Sequence, residues 1–155
     1  MRRLIFSLVA VCAAAVLTGS AATAKDGKGV MCVLHAKLTA KNETTGSTST
    51  AKGHTLIKVR EDGTITFKTQ INNRNHETFI AGHIHQAPVG VPGSIVVPLF
   101  VAPSPTTSAR HIKQSGTATP NPGTTGADLC QNPSAYYVNY HTTAFPGGAI
   151  RGQLR

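Results

Sequence analysis

Apolar residues in this chain recur at every second position, and that rhythm constrains the fold more than any other feature. Cys32, Leu34, Ala36 and Leu38 alternate with other residues, and Ile65, Phe67, Thr69 and Ile71 alternate with Thr66, Lys68 and Gln70. A period of two places one set of side chains on one face of an extended strand and the intervening set on the other. Between Leu56–Arg60 and Thr64–Ile71 lies Glu61-Asp62-Gly63, whose Asp-Gly pair suits a tight hairpin turn. Further strands are expected at Ile80–His85, Ser94–Phe100, Ala135–Thr142 and Ala149–Leu154. Val89-Gly90-Val91-Pro92-Gly93 and Pro146-Gly147-Gly148 punctuate them. No stretch beyond Lys25 sustains a helical period. Seven to eight short strands with turn residues between them predict an all-β, antiparallel sandwich or barrel.

Two segments break the rhythm. Lys41–Lys52, rich in Thr and Ser, reads as a loop or a solvated edge. Ala102–Pro133, thick with Pro, Thr, Ser and Gly, reads as a long loop that Ala109–Lys113 interrupts with a short strand. A structureless segment of that length is uncommon in a compact domain, so it is expected to be tethered through Cys130 or to be functional.

The first residues have a different character. Arg2-Arg3 precede an apolar run from Leu4 to Leu17, and Ala22-Thr23-Ala24 stands before Lys25. A basic start, a short apolar centre and a small-x-small site form a secretory signal. The run is shorter than the roughly 20 apolar residues needed to span a bilayer. The expected organisation is a signal peptide over 1–24 and a single domain over 25–155, with no transmembrane segment after cleavage. Arg2-Arg3 follows the initiator too directly for twin-arginine export, and lipoprotein processing at Cys12 would cut the apolar run in half. Cleavage after Ala24 removes Cys12 and leaves Cys32 and Cys130, a pair expected to be bridged in an oxidising compartment.

The chain carries 15 Lys and Arg against 6 Asp and Glu, for a formal net charge of +9. Such a balance favours anionic partners. The basic residues are spread singly, without the runs and interleaved aromatics of a nucleic-acid platform. The expected partner is therefore a protein or an anionic envelope polymer rather than a specific nucleic acid.

Two blocks of sequence resemble a known family. Ala81-Gly82-His83-Ile84-His85, its Gly- and Pro-rich turn and Gly93-Ser94-Ile95-Val96-Val97-Pro98-Leu99 are similar to the first signature of the CHRD domain. Tyr136 to Leu154, through Tyr140-His141-Thr142-Thr143-Ala144-Phe145-Pro146-Gly147-Gly148, resembles the second. Upstream, Leu38–Glu43 and Gly53–Ile71 follow the family's opening strand and hairpin more loosely. Glu43 alone represents a Glu-Val-Pro-Pro-like element, with Thr44-Thr45-Gly46 in place of the rest. The resemblance implies an immunoglobulin-like β-sandwich of the kind found in chordin and in secreted bacterial proteins. It implies no particular activity, since function resides in sites rather than folds.

The residues that carry chemistry are mostly histidines. His83 and His85, two apart in a strand, leave from one face, and Tyr137, Asn139 and His141 share a face of another. If those strands are neighbours, three imidazoles converge in the manner of zinc and copper sites. The other reading is a structural polar network in which the rings bond Asn139, Arg151 or backbone carbonyls, with Glu43 as a carboxylate partner for Arg151. A nearby guanidinium and the lack of an adjacent carboxylate favour the network. The His-x-His strand is similar to part of the copper site of Cu/Zn superoxide dismutases, but His35, His54, His76 and His111 match no further part of it. There is no Gly-x-Ser-x-Gly elbow, and no pair of carboxylates is singled out for hydrolysis. Asn42-Glu43-Thr44 is a glycosylation sequon, relevant only in a eukaryotic secretory host. Two functions stand: a non-catalytic binding or scaffold module of the periplasm or exterior, and a copper- or zinc-binding, redox-active protein centred on His83, His85 and His141.

N-terminal sequencing of exported protein is expected to begin at Lys25. A lipid-modified Cys12 at the new terminus would overturn both the cleavage site and the compartment.

Overall fold

Each alternating segment becomes a strand because its apolar half can be buried only on one side of a sheet. The computed structural model describes residues 29–101 and 108–155. The signal, Cys12 and the Ala24–Lys25 junction lie outside the described residues. The strands are β1 (Val30–Thr39), β2 (Lys52–Arg60), β3 (Ile65–Asn72), β4 (Phe79–Gln86), β5 (Ser94–Val101), β6 (His111–Ala118), β7 (Tyr136–Thr142) and β8 (Ile150–Gln153), with a short helix α1 (Gly126–Gln131) before β7. They hydrogen-bond into one antiparallel sheet in the order β5-β4-β7-β8-β1-β2-β3-β6. The fold is all-β, as the alternation predicts.

The sheet curls until its two edges approach each other, so that it is nearly a barrel. Asn121, three residues past β6, donates from its backbone N–H to the Val96 carbonyl at 2.7 Å and from Nδ2 to the Ile95 carbonyl at 2.9 Å on β5. Inside the curl, Leu38, Ile57, Ile65, Phe79, Ile84 and Ile150 are fully buried. Truncating one such aliphatic side chain to Ala typically costs about 2–5 kcal/mol. Tyr140 of β7 crosses this interior and donates its hydroxyl to Thr69 of β3 at 2.9 Å, and Thr69 in turn bonds Thr55 of β2 at 2.9 Å. Two buried hydroxyls and a phenol thereby satisfy one another. Gly82 faces Tyr140: a Cβ there would stand 2.5 Å from the phenol ring, so glycine is what lets the ring lie flat against β4.

The long segment after β5 holds more structure than expected. The short strand anticipated at Ala109–Lys113 extends as β6 to Ala118, paired with β3 throughout. Its signal in the sequence is weak because only Ile112 and Ala118 are buried in this edge strand. Helix α1 also lies within the presumed loop. Its capping box, Thr125 with Asp128, was present in the sequence as Thr-x-x-Asp. Lys41–Lys52 is a loop, as read, but it is anchored to the start of β8. Asn42 Nδ2, the sequon amide, donates to the Arg151 carbonyl at 2.9 Å, while Thr45 and Ser47 donate to the carbonyls of Gly148 and Ala149 at 2.9 and 2.8 Å. Among the described residues, no helix is long and apolar enough to cross a membrane.

Cys32 of β1 is bridged to Cys130 of α1, with Cα atoms 5.9 Å apart and a sequence separation of 98. The bridge fastens the helix, and with it the apolar Leu129, over the end of the curl. Closing so long a loop is worth about 4–5 kcal/mol in the chain-entropy description. Reduction, or a Cys32→Ser/Cys130→Ser double variant, is accordingly expected to lower the melting temperature markedly. Equal melting of oxidised and reduced protein would refute this.

Candidate metal centre on the outer face

The strand register builds a second buried compartment outside the curl. On β4, β7 and β8 the residues that point away from the core lie side by side. His85 pairs with Tyr137 and Tyr137 with Gln153; His83 pairs with Asn139 and Asn139 with Arg151. His141 continues the same face of β7, opposite Ala81. All seven residues of β7 are buried, because connecting segments cover its outer side. The link from β4 to β5 is pinned over it by Arg151, whose Nη1 and Nη2 donate to the carbonyls of Val91 and Pro88, both at 2.9 Å. Gln153 Nε2 donates to the Ala87 carbonyl at 2.8 Å.

The cover places three imidazoles together. His85 Nδ1 bonds the Gly93 carbonyl and His141 Nδ1 bonds the Pro146 carbonyl, each at 2.9 Å. A carbonyl only accepts, so both Nδ1 atoms carry the proton and both Nε2 atoms present lone pairs. His83 Nδ1 lies 3.1 Å from His141 Nε2, and His85 Nε2 is buried with no protein hydrogen-bond partner. One nitrogen from each ring falls within 4.8 Å of the others. A zinc or copper ion about 2.0–2.1 Å from each nitrogen requires separations near 3.4 Å, so the widest gap must close by up to about 1.4 Å.

The electrostatics keep these rings neutral. Burial, reinforced by the neighbouring rings of His141 and His85, pushes His83 down from 6.5 to about 4. Burial also lowers His85 and His141, against the opposing pull of the Gly93 and Pro146 carbonyls. Tyr137 stands between His85 and the guanidinium. His85 is stacked on it with centroids 4.9 Å apart, and Arg151 Cζ lies 3.3 Å from the ring centroid. The phenol thus meets the buried cation with its π-face.

Two further acceptors face this compartment unsatisfied, Asn139 Oδ1 and Glu43 Oε1. They adjoin at Gly148, where φ is 142° and a Cβ would lie 2.7 Å from Asn139 Nδ2 and 2.8 Å from Glu43 Oε2. Burial raises Glu43 from 4.5 to about 7, although Arg151 and the Thr44 N–H both oppose the rise. The guanidinium gives its hydrogen bonds to Pro88 and Val91 rather than to the carboxyl, and couples to Glu43 through charge alone.

Every residue proposed from sequence for the cluster is therefore on this one face: His83, His85 and His141 meet, Asn139 lies between His83 and Arg151, and Glu43 reaches in from the anchored loop. What the sequence did not supply are the carbonyls of Pro88, Val91, Gly93 and Pro146. Main-chain acceptors leave no residue-type signature; only the Gly- and Pro-rich turns that contain them were visible.

His83 and Glu43 should tilt stability in opposite directions. Between pH 6.5 and about 4 the native state resists protonation of His83, so the unfolded chain binds more protons and stability falls as pH falls. Between pH 4.5 and about 7 the native state holds the Glu43 proton more tightly, so stability falls as pH rises. In metal-free protein, Glu43→Gln is expected to lessen the loss of melting temperature between about pH 5 and 8. An unchanged pH profile would contradict the buried, raised carboxyl.

No curated protein and no solved structure matches the chain. The sequence profile of the CHRD domain matches residues 34–154, a span that begins within β1, ends just past β8 and contains every residue of the histidine face. The chain belongs to the CHRD domain family.

Proposed function

We propose that this protein is an extracytoplasmic CHRD-domain binding module that holds one copper or zinc ion on His83, His85 and His141. The Cys32–Cys130 bridge and the signal-like N-terminus support the compartment. The curled sheet is read as the family's sandwich: Tyr140 of β7 meets Thr69 of β3 across the core, four places away in the strand order.

The observation that carries the metal reading is the orientation of the lone pairs. In a purely structural network each buried imidazole nitrogen finds a partner. Here His85 Nε2 has none, and His85 belongs to a cluster in which one ring nitrogen from each of the three histidines lies within 4.8 Å of the others. The carbonyls behind His85 and His141 are the outer partners that orient ligating imidazoles and raise their basicity. Imidazole is a good donor to both copper and zinc, with copper(II) the tighter in the usual affinity order. Tyr137 stands between the guanidinium and His85, although the cation still helps to lower His85. Nothing in the site supplies an evident nucleophile or carboxylate pair, so the module is assigned a binding role.

The test is metal addition to untagged protein stripped of metal. One equivalent of copper(II) or zinc is expected to bind and to raise the melting temperature; a native-state ligand at 100 times its Kd stabilises by about 2.7 kcal/mol. The gain should vanish in a His83→Ala/His85→Ala variant. Because the rings are held neutral below the ordinary imidazole range, loading should persist below pH 6.5 and fail as His83 protonates toward about 4. Less than stoichiometric uptake at neutral pH, or equal uptake by the double variant, would defeat the proposal.

A further inference from the structure

A different part of the same sheet carries charge of one sign. The outward positions of β1, β2, β3 and β6 align in four cross-strand rows. They read Val33–Lys58–Thr66–Thr117, His35–Leu56–Lys68–Ser115, Lys37–His54–Gln70–Lys113 and Thr39–Lys52–Asn72–His111. Five lysines and three histidines occupy these positions, and no aspartate or glutamate does. The described carboxylates are elsewhere: Glu61 and Asp62 in the β2–β3 turn, Glu43 at the histidine face, Asp128 in the cap of α1, and Glu77 bonded to Ser49 and Thr50. Lys37, Lys52, Lys68 and Lys113 are exposed. Lys52, His54, Gln70, Asn72, His111 and Lys113 border a groove of about 560 Å³ on this face.

Ordinary reasons for surface lysine do not account for the pattern. Lysines commonly guard sheet edges against pairing with other chains, but β1, β2 and β3 are interior strands and carry four of the five. Solubility is served by interspersed charges of both signs, and this face has one sign only.

We infer that this face binds an acidic polysaccharide. Strands lie about 4.8 Å apart and alternate residues about 6.6 Å apart along a strand, which spaces Lys37 and Lys113 about 14 Å apart across one row. That is a grid of point charges for a polymer with repeating anions. Thr39, Thr66, Ser115, Gln70 and Asn72 between the lysines offer the hydroxyls and amides that hydrogen-bond sugar hydroxyls. The face bears no Phe, Tyr or Trp, so it lacks the stacking platform that single-stranded nucleic acid requires. The four rows themselves hold no arginine, the usual residue for bidentate phosphate recognition, and Arg155 borders the face beside His35 and Lys37. The inference stands without the metal site, which occupies β4, β7 and β8.

Titration calorimetry at two salt concentrations tests it, using polygalacturonate and dextran sulfate as carboxylated and sulfated probes, with neutral dextran, duplex DNA and phosphatidylglycerol vesicles for comparison. Binding to one or both acidic glycans is expected, weakening as salt rises, and the probe bound more tightly identifies the anion. A Lys37→Gln/Lys52→Gln/Lys68→Gln/Lys113→Gln variant should lose at least tenfold in affinity, whereas Arg110→Gln, outside the four rows, should change it less than twofold. Lysine acetylation of the wild-type protein, mapped by mass spectrometry, provides a readout that needs no variant: the four face lysines should be protected by the bound glycan. Absence of glycan binding, tighter binding of DNA or vesicles, equal losses in both variants, or unprotected face lysines would each overturn the inference.

Discussion

The buried guanidinium of Arg151 is the interaction on which the outer compartment depends. A β-sheet buries one face by packing and leaves the other to water unless something covers it. Here the cover is the connection from β4 to β5, and Arg151 holds it by donating to the carbonyls of Pro88 and Val91. Burying a charge is costly unless it is paired and hydrogen-bonded. The guanidinium is 2% exposed, with two main-chain acceptors, the face of Tyr137 and the nearby charge of Glu43 to offset the loss of water. Held in this way, the link brings the Gly93 carbonyl to His85 and the Gly93 N–H to the Tyr137 hydroxyl at 3.0 Å. The same covering removes water from His83, His85 and His141 and so keeps them neutral.

The compartment thus differs in kind from the core. Inside the curl, hydroxyl donors and acceptors are few and mutually satisfied. Outside it, under the cover, His85 Nε2, Asn139 Oδ1 and Glu43 Oε1 are all buried acceptors without protein partners. An unpaired buried polar group costs about 1–3 kcal/mol, so these three atoms call for a partner from outside the chain, an ordered water or an ion. A cation satisfies nitrogen lone pairs directly, and the two oxygens are placed to accept from whatever fills the remaining space. The raised Glu43 carboxyl adds a group that changes protonation near neutrality beside this centre.

Much of this was legible in the sequence because a strand is a ruler with a period of two. His83 and His85 had to share a face, as did Tyr137, Asn139 and His141, once those segments were strands. That β4 and β7 are neighbours rests on a register across a long connection, which alternation cannot encode, so from sequence their adjacency stood only as a condition. β6 was underestimated because it is an edge strand with two buried residues, and α1 was missed because six residues are too few to display a helical period. The sequence-level preference for a structural network rested on a guanidinium near the imidazoles. It could not reveal Tyr137 standing between the guanidinium and His85, a consequence of β7 lying between β4 and β8.

The same period of two also separates the two surfaces to which function is assigned. Outward residues of β4, β7 and β8 are mostly polar and covered, whereas those of β1, β2, β3 and β6 are open and, apart from Val33 and Leu56, polar. The strand order makes each group contiguous, β4-β7-β8 on one side and β1-β2-β3-β6 on the other. β1 is the boundary: its Thr39 pairs with Arg151 on one side and Lys52 on the other. A charge removed from the open face leaves the imidazoles untouched, since no lysine of that face contributes to their depressed protonation. Conversely, an ion bound beneath the cover adds its charge behind a sheet whose interior is apolar. The fold therefore permits the proposed polymer-binding face and the proposed metal centre to change independently, each constrained only by the inward residues they share.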